Sequence, residues 1–110
     1  MKGGNKLIEK IYKFTDGDEN VIEKIIADDN IHYMHMILNK DQGLPKHSTN
    51  SNVYMTVLRG KLTLSLNGEK ANLYEKGTVI NIPINTKMDA INLNDEILEL
   101  TVVKAPAPLM

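Results

Sequence analysis

GLPKHSTNSNVYMTVLRG, residues 43–60, and GTVINIPINTKMDAIN, residues 77–92, decide the fold of this chain. The first carries H-x-T-x3-V-x6-G from His47 to Gly60, and the second G-x5-P-x-N-x2-M-x3-N from Gly77 to Asn92. Glycine, proline and asparagine punctuate short apolar runs in both, and these are the residues whose backbone preferences permit chain reversal. Residues 61–76 separate the two stretches, a short connection that itself contains a hairpin signal.

Outward from these stretches, residues 7–14, 21–27, 31–38, 53–58, 61–66, 71–74, 79–82, 89–92 and 97–103 are segments rich in β-branched or apolar side chains. Gly, Pro, Asn and Asp separate them at intervals of roughly eight to twelve residues, the rhythm of an all-β sandwich or barrel. Asn67-Gly68 tolerates positive φ at both positions and predicts a two-residue type I′ hairpin after the strand at 61–66. Asp28-Asp29-Asn30 predicts a second reversal. Val21, Lys24, Ile25 and Asp28 have helical spacing but make a poor apolar stripe, so a strand is expected there. Prolines in residues 105–110 remove ladder donors, and this tail is read as a terminus outside the sheet.

A chain of 110 residues is most economically one domain, 1–110, able to bury a core without disulfides or a structural metal. The absence of cysteine excludes a disulfide framework, thiolate catalysis and sulfur-ligated zinc. The 13 basic and 14 acidic side chains nearly cancel, and with no basic block nucleic acid is not an expected partner. Met1 to Lys6 are basic, but no apolar run follows that would serve as a secretory signal or membrane span. A cytoplasmic location without a membrane partner is therefore expected.

The two quoted stretches resemble the paired signatures of the cupin superfamily, G-x5-H-x-H-x3,4-E-x6-G and G-x5-P-x-G-x2-H-x3-N, and the likeness extends over about residues 31–106. It implies a double-stranded β-helix (jelly-roll) barrel of the small single-domain, cupin 2 type, with strands from residues 7–28 packed on the barrel or on a dimer partner. It also implies a divalent metal held by three imidazoles and a carboxylate, with positions left open for substrate or oxygen. Position by position, His47 matches the first histidine, Thr49 the second, Val53 the glutamate, Gly60 the closing glycine, Met88 the last histidine and Asn92 the final asparagine. Val53 has no donor atom, Thr49 offers a neutral hydroxyl, and the thioether of Met88 suits soft ions rather than Fe(II), Mn(II) or Zn(II). No cofactor is expected on this reading; if a metal binds, His47 is its ligand.

The chain's histidines are His32, His35 and His47. His32 and His35 lie three apart on a strand and point to opposite faces, so at most two imidazoles reach the interior. Counting back from His47 by the family's usual loop length places His32, Met34 and Met36 inside and Tyr33, His35 and Ile37 outside. Glu99 would complete a two-histidine, one-carboxylate set, but Leu98, Leu100 and Val102 form the more natural inward face of that strand. Methionine with imidazole would select Cu(I), yet methionine is also the usual filler of irregular core gaps.

The inward set is then His32, Met34, Met36, His47, Thr49, Met55 and Met88, an apolar cup with a few hydrogen-bonding groups that suits a small-molecule ligand. Each member has a plainer reading: His47 as a hydrogen-bonded remnant, His32 and His35 as packing or surface residues, the methionines as filler, and Asn92 as the brace of a turn. Both faces of residues 31–38 are apolar and must be covered twice, and small cupins of the kind this chain resembles commonly pair through their N-terminal strands, so a two-fold homodimer with residues 7–14 as the exchanged or packed element is expected. Three functions compete: a metal-free binding module, a metal-dependent dioxygenase, isomerase or epimerase built around His47, and an interaction unit recruiting a partner through Asn50, Asn52 and Tyr54. No Ser-His-Asp order, phosphate-cradling loop or paired-carboxylate motif names a reaction, and catalytic residues stay unassigned.

Overall fold

A computed structural model describes residues 7–109, so the reading of residues 1–6 lies outside it. Among the described residues the chain forms β1 (Val21–Ala27), β2 (His32–Leu38), β3 (His47–Ser48), β4 (Val53–Arg59), β5 (Lys61–Leu66), β6 (Asn72–Glu75), β7 (Val79–Ile82), β8 (Lys87–Ile91) and β9 (Leu98–Lys104). They build an antiparallel five-stranded sheet, β1-β2-β9-β4-β7, facing a four-stranded sheet, β3-β8-β5-β6. This is the all-β architecture that the turn rhythm predicts, arranged as the jelly roll that the cupin resemblance implies.

Strand parity follows the hydrophobic pattern, because a one-residue slip would turn every core side chain to water. Met34, Met36 and Leu38 on β2 stand opposite Val102, Leu100 and Leu98 on β9, and Met55 and Val57 on β4 stand opposite Val102 and Leu100 from the other side. Leu62 and Leu64 on β5 and Met88 and Ala90 on β8 close this core from the second sheet. The reading of Met34 and Met36 as inward, and of Leu98, Leu100 and Val102 as the inner face of the last strand, agrees with this register.

The turns form where their residues permit. Asn67 and Gly68 both take positive φ, and the Glu69 amide donates to the Leu66 carbonyl, giving the type I′ turn. At the β1–β2 reversal the Asp28 carboxylate accepts from the amides of Asn30 and Ile31. Asn92 braces a turn as expected: it is fully buried, its amide nitrogen donates to the carbonyls of Leu38 and Glu96, and its oxygen accepts from the Asn94 amide.

Two features depart from the sequence reading. Residues 7–14 form no strand but an arm over the outer face of β1 and β2. Side chains hold it: Phe14 stacks on His35 at 4.2 Å, and Thr15 donates to Glu23 from both amide and hydroxyl. The two-residue strand β3, which pairs with β8, was too short to carry a periodic signal.

Candidate functional site

Between the two sheets, at the end where β2, β4 and β9 meet the loop after β2, lies a cavity of about 100 Å³. Met34, Met36, Val53, Met88 and Val102 form its walls, and Leu44, Pro45, His47 and Lys104 its mouth. The register explains the convergence. Val53 and His32 both stand opposite Lys104, and His47 stands opposite Met88, so residues from both sheets project into one space.

Of the seven residues read as the inward set, this cavity gathers Met34, Met36, His47 and Met88. Met55 is not in its lining; it is fully buried in the packed core, one layer deeper on β4. His32 has the expected parity and neighbours Lys104 at the strand end without lining the cavity. Thr49 is buried in a turn. Its hydroxyl donates to the Pro83 carbonyl at 2.7 Å and accepts from the Thr86 amide at 3.0 Å, so it serves the backbone of the β7–β8 connection rather than a ligand.

His47 is exposed at the mouth, and its Nδ1 lies 2.7 Å from the Pro45 carbonyl. A carbonyl can only accept, so Nδ1 carries the proton and Nε2 is left for a ligand. Lys104 is the functional group that sequence reasoning missed. It is partly withdrawn from water, and burial, followed by repulsion from Lys24, holds its ammonium below the usual lysine range.

The donor set does not fit the divalent metal that the cupin resemblance implies. Among the described residues no group of three or more His, Asp or Glu side chains is arranged to hold a metal ion. At the matching positions the cavity presents one imidazole, the aliphatic Val53 and the thioether of Met88, with a lysine beside them.

A second polar cluster lies on the outer face of the five-stranded sheet. His35 is fully buried there, with Nδ1 2.7 Å from Glu23 and Nε2 2.6 Å from Glu99. Arg59 reaches Glu99 at 3.1 Å and also donates to Asp18 and to the Gly17 carbonyl. Ionised carboxylates only accept, so both are satisfied when both ring nitrogens carry hydrogen. Phe14 stacks on the ring, which makes this a clasp for the arm.

No family model matches the chain. An uncharacterized protein of Methanocaldococcus jannaschii is 37% identical over 103 residues, covering 93% of this chain and 89% of that protein. Similar in structure is an RmlC-like cupin family protein with a double-stranded β-helix fold from the same archaeon, with TM-score 0.90 and 36% identity, covering 94% of this chain and 95% of that one. A cupin-like protein of Thermotoga maritima aligns with TM-score 0.72 at 21% identity over 77% of this chain and 67% of its own, and a cupin superfamily protein of Desulfitobacterium hafniense with TM-score 0.72 at 5% identity over 84% and 83%. These last two share the fold alone. With its sequence relative, its barrel topology and its paired signatures in agreement, the chain belongs to the RmlC-like cupin family.

Proposed function

We propose that this cupin is a small-molecule-binding barrel whose metal site has been replaced by an apolar cup. The observation that carries the reading is the cavity itself: the positions that resemble metal ligands, His47, Val53 and Met88, still converge, but they now enclose space lined by Met34, Met36 and Val102. Apolar concavities with a few placed polar groups are the usual form of small-ligand sites. The volume bounds the ligand. It is smaller than the roughly 150 Å³ engineered cavity that accepts benzene, so only a short apolar group enters.

Methionine methyl resonances of the full chain test this. Titration with 1-butanol is expected to shift Met34, Met36 and Met88 saturably and to leave Met55 in place, and Met34→Phe is expected to fill the cup and abolish the shifts. Uniform or absent shifts would remove the cup as a site. The competing reading, a metal-dependent cupin enzyme using His47, predicts near-stoichiometric metal in tag-free protein that is lost in His47→Ala. The binding-module reading predicts negligible metal in both, measured by inductively coupled plasma mass spectrometry.

A further inference from the structure

The walls of the cup are apolar, but its mouth is cationic. Lys104 enters from the last residue of β9, Lys24 projects from the same face of β1, and His32 stands directly across the ladder from Lys104. Among the described residues no carboxylate lies within ion-pairing distance of Lys104. Asp28, the acidic group close to His32, already accepts through its Oδ1 from two backbone amides of its own turn. A cation next to apolar walls and without a counter-charge is a receptor for an anion.

We infer that the cup takes a small monocarboxylate, with its head on Lys104 at the mouth and its short aliphatic tail among Met34, Met36 and Met88. This rests on the reading of the cavity as a ligand site. Charge and size select the class together. A carboxylate supplies the counter-ion that Lys104 lacks and restores the ammonium that burial and Lys24 disfavour. A soft cation such as Cu(I), although the thioethers and imidazole would suit it, would add positive charge to a mouth that already repels it. A multiply charged anion would leave uncompensated charge beside the methionine wall. About 100 Å³ admits a tail of only a few carbons.

The test compares sodium butyrate, butyramide and 1-butanol on the full chain labelled at its methionine methyls, at neutral pH, in wild type and Lys104→Gln. Butyrate is expected to bind about tenfold more tightly than butyramide, as a charge-assisted hydrogen bond allows, and Lys104→Gln is expected to erase that preference by weakening butyrate far more than the amide. The amide spectrum of Lys104→Gln confirms that the fold is retained, and Lys104→Arg is expected to keep part of the preference. Equal affinity for acid and amide, or a preference that survives Lys104→Gln, would overturn the carboxylate inference while butanol shifts left the cup standing. Silence from all three probes would bring down both.

Discussion

Gly60 links β4 to β5 with φ at +78°, and a methyl group at its Cα would run into the Ile97 carbonyl. Conformation and contact both select glycine here, which gives the closing glycine of the first signature a physical reason. Gly60→Ala is expected to lower stability by about 2–3 kcal/mol in urea denaturation, from left-handed strain plus displacement of the residues before β9. Thr49 offers a sharper test, because its position matches a metal-binding histidine while its hydroxyl bonds Pro83 and Thr86. Thr49→Val is expected to cost about 1–3 kcal/mol through the buried groups it leaves unpaired, with butanol binding at the cup unchanged. Weakened binding at unchanged stability would return Thr49 to the site.

At the scale of elements, the arm and the β1–β2 hairpin are joined through Glu23, whose carboxyl is held below its usual range first by the Thr15 amide, then by the Thr15 hydroxyl and by His35. A depressed carboxylate contributes stability above its unfolded value that is lost as pH falls through its folded one. The arm is therefore expected to stay docked at neutral pH and loosen below the ordinary glutamate range. The Thr15 amide resonance should report this by shifting at acid pH and losing exchange protection in Glu23→Gln; an amide that ignores both would remove Glu23 as the anchor. Local chemistry made the hairpins legible in the sequence, since Asn67-Gly68 and Asp28 act on their own neighbours. Period-two alternation made the inner face of β9 legible as well, whereas the parity of β2, apolar on both faces, came from the loop length the cupin resemblance implies. The clasp was not: His35 meets Glu23 and Glu99 across sequence separations of 12 and 64 residues, and nothing local pairs them. Lys104 escaped for the same reason, because only the register of β2, β4 and β9 turns the last residue of a strand into the mouth of a cup. Of the four positions aligned with metal ligands, His47, Val53 and Met88 line the cavity, while Thr49 turns its hydroxyl to the backbone of Pro83 and Thr86.

The whole molecule measures 57 × 32 × 21 Å, elongated for a chain of this length. The arm carries Leu7, Ile8 and Ile11 to its outer surface, with Ile8 entirely exposed. The association we propose is a two-fold homodimer in which this arm packs against a second copy, since monomers rarely leave contiguous apolar surface in water. Size-exclusion chromatography with light scattering is expected to give twice the monomer mass at micromolar concentration, and monomer mass once residues 1–14 are deleted; monomer mass for the intact chain would end the idea. One detail of β1 bears on how far such association can go. Lys24 pairs with Met34 and Ile26 with Tyr33, so Ile25 is an extra residue in the ladder of the strand that forms the sheet's edge. A foreign strand approaching that edge meets donors and acceptors out of step with its own. The bulge thus acts as a terminator on this edge, denying an incoming strand the straight rail along which it would pair.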